Sequence, residues 1–92
     1  MILSEDEIVN AVCAHTASRK QIRPSDVQVE LAWDEDTGFT AEMWAEGRSQ
    51  YLVEANLIEA ILLYLHEQYN LRVFRDEVHL ELENEIIAVV NQ

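Results

Sequence analysis

Apolar residues recur at two different spacings along the chain, and each spacing predicts a type of element. Between Ser4 and Arg19 they recur every three or four residues, which is typical of an amphipathic helix. Ser4 followed by Glu7 is a capping-box pattern that predicts where this helix begins. A second helix, from about Glu54 to Tyr69, has an apolar stripe too wide for one contact surface. This second stripe is the strongest helix signal in the sequence.

Alternation of apolar and polar residues with a period of two predicts the strands. Five runs of residues either alternate in this way or are short and apolar. Residues that favour turns separate these runs. The last run is apolar on both faces, so its strand should be central in a sheet or covered by another element. The predicted strands are residues 27–34, 39–46, 49–53, 78–83 and 86–90.

These elements predict one α+β domain over residues 1–92, with an antiparallel sheet of four to five strands and two helices on one face. Residues 22–27 match residues 73–78 with one residue inserted, which indicates a degenerate αββ repeat. The alternative is an αβββα core like that of double-stranded-RNA-binding domains, followed by an extra hairpin. Its usual function is disfavoured, because the second helix carries no Lys or Arg for RNA phosphates.

Charge is the unusual property of the composition. Eighteen Asp and Glu residues against six Lys and Arg give a formal net charge of −12 at pH 7, spread along the whole chain. This surface repels phosphates, so neither nucleic acid nor a membrane is expected as a partner. A basic protein is the partner that the charge favours.

Cysteine usage and the first residues indicate a cytoplasmic location. The single cysteine, Cys13, cannot form an internal disulfide, which suits a reducing compartment. The acidic start lacks a signal-peptide pattern, and no apolar run approaches the ~20 residues that span a bilayer. Cys13 and His15 are two residues apart on a helix and point to different sides, so neither can readily activate the other. No catalytic residue and no cofactor is predicted.

The first candidate site is an acidic sheet face around an aromatic residue. If the two hairpins share one sheet, its outer side brings together Glu30, Glu42, Trp44, His79 and Glu81. A tryptophan ringed by acids can receive a Lys or Arg side chain from a partner, and carboxylates with an imidazole can hold a divalent metal. The structural alternative is a solvated face with one exposed tryptophan.

The second candidate site joins the third strand to the second helix. Arg48, Gln50, Glu54 and Asn56 place a guanidinium near amide and carboxylate groups at a helix N-terminus. Such a group of side chains can bind a small anion or a peptide terminus. The structural alternative is a salt link between Arg48 and Glu54, together with polar groups that serve only to start the helix.

Three segments carry a resemblance to a known family. Residues 47–61, with the opening residues 1–5 and the closing residues 85–88, resemble a family of small acidic uncharacterised proteins from Bacillus-type bacteria. The resemblance covers the entire chain and implies a bacterial cytoplasmic protein. It implies no activity, cofactor or site residue.

Taken together, these patterns predict a non-enzymatic acidic protein-interaction or regulatory module. The alternative is a small-ligand or divalent-metal-binding protein that uses the acidic sheet face or the Arg48 region. An enzyme ranks third, since a carboxylate pair such as Glu42 and Glu81 can do acid–base work if burial raises one pKa. The wide stripe of the second helix favours a homodimer, although two copies of a −12 chain repel each other.

Overall fold

Residues 1–91 form a pair of helices and two separate antiparallel sheets. A computed structural model describes residues 1–91, and its 3-10 turns, Pro24–Asp26 and Arg75–Glu77, each follow a helix and precede a hairpin. The helices are α1 (Glu5–Lys20) and α2 (Glu54–Tyr69). The strands are β1 (Ile2–Leu3), β2 (Gln28–Asp34), β3 (Gly38–Ala45), β4 (Arg48–Val53), β5 (Val78–Leu82) and β6 (Ile86–Val90).

The two predicted hairpins belong to different sheets. The first sheet has the order β2, β3, β4, and the terminal sheet has the order β1, β6, β5. The α+β class with two helices is confirmed, whereas the single sheet of four to five strands is not observed. The prediction also missed β1, which pairs Ile2 with Val89 and Leu3 with Ala88 and so occupies the second edge of β6. A two-residue strand has no periodicity that a sequence pattern can reveal.

The helix pair packs against both sheets. Helix α1 contacts β2 and β6, while α2 contacts β3 and β4. Strand β6 is almost wholly buried, in agreement with its predicted apolar character on both faces. The main cluster of buried side chains includes Leu3, Ile8, Val12, Ala41, Leu57, Ile61, Leu65, Leu80, Ala88 and Val90.

Carboxylates join the start of α1 to the turn between β5 and β6. The Glu5 N–H donates to Glu85 Oε2 at 2.7 Å, and the Ile86 N–H donates to Glu5 Oε1 at 2.9 Å. The predicted capping box is confirmed, with the Glu7 N–H donating to Ser4 Oγ at 3.2 Å. The first N–H groups of a helix have no partner within it, so these bonds fix where α1 begins and what it touches.

Most of the wide stripe on α2 is used inside the chain. Leu62 and Tyr64 pack against the main core, and Leu63 is 39% exposed. The stripe alone therefore does not require a second copy, and the homodimer stays a prediction. Neither helix among the described residues is long and apolar enough to cross a lipid bilayer.

Residues 5–69 have the order helix, three-stranded antiparallel sheet, helix, which is the order of the alternative αβββα prediction. Both halves of the chain also run from a helix through a left-handed residue, Gln21 or Asn70, to a 3-10 turn and a hairpin. They contribute to different sheets, however, and the first half has an added strand. The internal repeat is therefore not confirmed.

We expect Glu85→Ala to lower the free energy of unfolding by about 1 kcal/mol, because it leaves the Glu5 N–H without its acceptor. Urea unfolding at pH 7 measures this change. The matched control is Glu83→Ala, which removes the same charge from the same turn and is expected to stay within about 0.5 kcal/mol of the parent. Equal losses of stability in the two variants would show that the hydrogen bond from the Glu5 N–H to Glu85 does not stabilise the contact between α1 and the β5–β6 turn.

Candidate functional site

One side of the first sheet is uncovered by the helices. The opposite side packs against the core through residues such as Val29, Leu31, Ala41, Met43 and Leu52. Since side chains alternate along a strand, the residues between them point away from the helices. This side, the outer face, carries Gln28, Glu30, Ala32, Thr40, Glu42, Trp44, Ser49, Tyr51 and Val53.

Strand register arranges the outer face around β3. Glu42 lies opposite Glu30 on one side and Tyr51 on the other, and Trp44 lies two residues along β3 on the same face. The structure thus brings together three of the five residues predicted for the first site. Tyr51 is 73% exposed and Val53 is 56% exposed, so the face is apolar as well as acidic.

Sequence reasoning missed Tyr51 and Val53, because the short run in β4 gives no clear alternation. The turn before β4 does indicate which residues of β3 and β4 lie opposite each other. Glu46 and Gly47 both have positive φ, 56° and 75°, as in the two-residue hairpin turns whose length fixes strand register. That turn sets Ala45 opposite Arg48 and therefore places Tyr51 beside Glu42.

The facing carboxylates of Glu30 and Glu42 form an acid pair without an internal counter-ion. Residues directly opposite in an antiparallel sheet have Cβ atoms about 5 Å apart, and like charges in that position destabilise it. Neither carboxylate forms an ion pair within residues 1–91. The outer face therefore holds uncompensated negative charge next to an indole ring.

His79 and Glu81 do not share this sheet. Both lie on β5 in the terminal sheet, opposite Val89 and Ile87 respectively. The predicted convergence of all five residues assumed that the two hairpins are neighbours in one sheet, but they belong to different sheets. Within the described part of the chain, no group of three or more His, Cys, Asp and Glu side chains is placed to hold a metal ion.

The second candidate site is divided by the structure. Gln50 and Asn56 line a cleft against α1, whereas Arg48 and Glu54 are exposed outside its lining. Asn56 Oδ1 accepts the Val53 N–H at 3.0 Å and so helps to start α2. Arg48 makes no ion pair with Glu54 or with any other of the described residues, so the predicted salt link is wrong.

Cys13 is separated from His15, as expected. The thiol is half-buried against a small cluster that includes Val27, and its Sγ donates to the Val27 carbonyl oxygen at 3.5 Å. Burial raises the pKa of the Cys13 thiol above its ordinary value, because a thiolate loses hydration there. His15 instead lines the cleft, with Nε2 3.9 Å from Glu59 Oε1.

Comparisons with known proteins match most of the chain. A family model described as a protein of unknown function (DUF2653) matches residues 1–85. An uncharacterized protein of Bacillus subtilis strain 168, YxcD, is 35% identical over 71 residues, which are 76% of this chain and 70% of that protein. No solved structure matches the chain significantly. The family match includes all residues of the outer face.

We expect Glu42→Gln to raise the free energy of unfolding by about 0.2–1 kcal/mol, because it removes one of two facing charges. Urea unfolding in low salt checks this, and the gain should shrink at high salt, where the repulsion is screened. The matched control is Glu81→Gln, which faces Ile87 instead of an acid and should change stability little. A less stable Glu42→Gln variant would contradict repulsion between Glu30 and Glu42.

We expect Cys13 to react with iodoacetamide at pH 7.5 more slowly in the folded chain than in the same chain unfolded by urea. The raised pKa leaves less thiolate at that pH, and half-burial limits access. Mass spectrometry of timed samples measures both rates. A folded rate equal to the unfolded one would show that burial does not suppress this thiol.

Proposed function

This chain belongs to the DUF2653 family of proteins of unknown function, and from that premise we propose that it is a non-enzymatic interaction module that binds a basic protein through the outer face. The observation that carries the proposal is the acid pair of Glu30 and Glu42 beside Trp44. Two facing carboxylates without a counter-ion weaken the isolated sheet. A positively charged side chain of a partner protein relieves this repulsion when it binds.

Arginine is the side chain that suits this surface best. Its planar guanidinium can stack on the Trp44 ring while it donates two hydrogen bonds to Glu42. Trp44 and Glu42 lie on the same side of β3, two residues and therefore about 7 Å apart. Lysine offers only a point charge there, so a partner rich in arginine should bind more tightly than one rich in lysine.

The apolar residues of the outer face supply the second component of binding. Tyr51 and Val53 are more than half exposed on the edge strand β4, next to Glu42 and Thr40 respectively. Aromatic residues are enriched at the centres of protein interfaces, where they bury a large area with few rotatable bonds. The partner segment should therefore combine arginine with aliphatic residues.

The net charge of −12 supports the same class of partner. An acidic surface attracts basic proteins from solution and raises the rate of encounter, an effect that falls as salt screens it over about 8 Å at physiological ionic strength. The single free thiol of Cys13 is suited to a reducing compartment. The proposal accordingly locates this interaction in the cytoplasm.

A hexapeptide in which arginine and valine alternate is a direct probe of the outer face. Titrated into the ¹⁵N-labelled chain, it should shift backbone amide signals mainly in residues 28–32, 40–44 and 49–53. Trp44→Ala should weaken binding about tenfold, since it removes the cation–π contact. A hexapeptide with glutamate in place of arginine should not bind.

Two variants separate binding from folding. Phe74→Ala removes an aromatic residue that is 64% exposed but lies before β5, so it should leave peptide binding unchanged. Glu42→Gln should bind the peptide more weakly although the free protein is more stable. Equal affinities in Trp44→Ala, Glu42→Gln and Phe74→Ala would overturn the proposal.

A further inference from the structure

A cleft of about 280 Å³ opens on the side of the first sheet opposite to the outer face. Its walls are the second half of α1, the first half of α2 and the inner side of β3 and β4. We call it the helix–sheet cleft. It does not include any residue of the outer face, so a ligand in the cleft is independent of a partner on the outer face.

The floor of the helix–sheet cleft is mostly apolar, although the buried Thr16 also lines it. Val12 from α1, Ala60 from α2 and Met43 from β3 are buried, and Leu52 from β4 is partly buried beside them. Small-molecule sites characteristically combine such a floor with a few polar groups at one end. A ligand that covers this floor must have an apolar body.

The rim of the cleft has more positive than negative side chains, unlike the chain as a whole. It holds Arg19 and Lys20, two of the six Lys and Arg residues, and only Glu59 of the eighteen carboxylates. Lys20 Nζ is already 3.7 Å from Glu46 Oε1. Arg19 forms no ion pair within residues 1–91, so its guanidinium is the cation available to a ligand.

Amide groups extend the donor set of the rim. Gln50 lies on β4 and Asn56 in the first turn of α2, and both line the cleft. Because Asn56 Oδ1 accepts the Val53 N–H, the Nδ2 group of Asn56 remains free to donate. The one carboxylate of the rim, Glu59, lies 3.9 Å from His15 Nε2. The cleft is thus rich in donors and suits an acceptor group.

We propose that the helix–sheet cleft binds a small organic carboxylate with a compact apolar body. Arg19 binds the carboxylate, and Val12, Met43 and Ala60 contact the apolar body. The cleft's 280 Å³ correspond to roughly nine water volumes, which is the size of a branched acid of about six carbons. Inorganic phosphate matches the cation but leaves the apolar floor uncovered.

Isocaproate is the probe that fits this size, and isocaproamide has the same shape without the charge. Titrated into the ¹⁵N-labelled chain, isocaproate should give saturable shifts in residues 12–20 and 50–60, with a Kd in the millimolar range or below, as a ligand of about eight non-hydrogen atoms allows. Isocaproamide and inorganic phosphate should each bind at least about tenfold more weakly than isocaproate. Isocaproamide lacks the charge that pairs with Arg19, and phosphate lacks the apolar body.

Arg19→Gln should weaken isocaproate binding about tenfold, because the charge-assisted hydrogen bonds between the guanidinium and the carboxylate are lost. The matched control is Arg23→Gln, which removes the same charge from an exposed side chain that pairs with Asp26 outside the cleft, and it should bind like the parent. Both side chains are exposed, so neither change should disturb the fold. Trp44→Ala should also leave isocaproate binding unchanged.

Three results would overturn the proposal. The first is the absence of saturable shifts with isocaproate in the millimolar range. The second is equal binding of isocaproate and isocaproamide, or of isocaproate and phosphate. The third is equal weakening by Arg19→Gln and Arg23→Gln, which would mean that net charge, and not the cleft, governs the response.

Discussion

The backbone hydrogen bonds of β6 are the constraint on which the rest of the fold depends. On one edge, the Val90 N–H donates to the Met1 carbonyl oxygen at 2.8 Å, and the Met1 amino group donates to the Val90 carbonyl oxygen at 3.2 Å. On the other edge, β6 pairs with β5 along its whole length. The first N–H group of β6, that of Ile86, donates a hydrogen bond to the carboxylate of Glu5 at the start of α1. One buried strand therefore positions the N-terminus, the first helix and the second hairpin.

This arrangement leaves the first sheet with two faces of different chemistry. The inner face packs on the helix pair and contributes the floor of the helix–sheet cleft. The outer face meets water, with Glu30 and Glu42 opposed and Trp44 beside them. Charge is divided in the same way, because Arg19 and Lys20 gather at the cleft while the outer face has no cation of its own among its residues. A thin sheet thus separates a donor-rich surface from an acidic one.

Local patterns predicted both helices and five of the six described strands, because each of these elements has a local physical cause. The capping box of Ser4 and Glu7 begins α1, and Asn70, in the left-handed conformation, follows the end of α2. The division into two sheets could not be predicted, because periodicity does not say which hairpins share a sheet, and the pairing of residues 2–3 with residues 88–89 leaves no periodic trace. An apolar β6 indicates a central strand without saying which strands flank it.

The candidate sites show the same limit. Glu30, Glu42 and Trp44 were grouped correctly, since one hairpin joins their strands and their alternation fixes a common face. His79 was misplaced because its position relative to Trp44 depends on how separate hairpins pack. Two residues of the second predicted site, Gln50 and Asn56, line the cleft, whereas Arg19 reaches it only through the packing of α1 against α2. Contacts between elements distant in sequence need tertiary structure, and these contacts complete the site.

The central place of β6 also has a consequence for the time at which the protein folds. Ribosomes add roughly 5–20 residues per second from the N-terminus, so β6 is the last described element to emerge. Until then α1 lacks β6, one of the strands against which it packs, and the apolar side chains of α1 that belong to the main core are less completely covered. A nascent chain interrupted before residue 86 lacks the middle strand of the terminal sheet, and with it the partner of both β1 and β5.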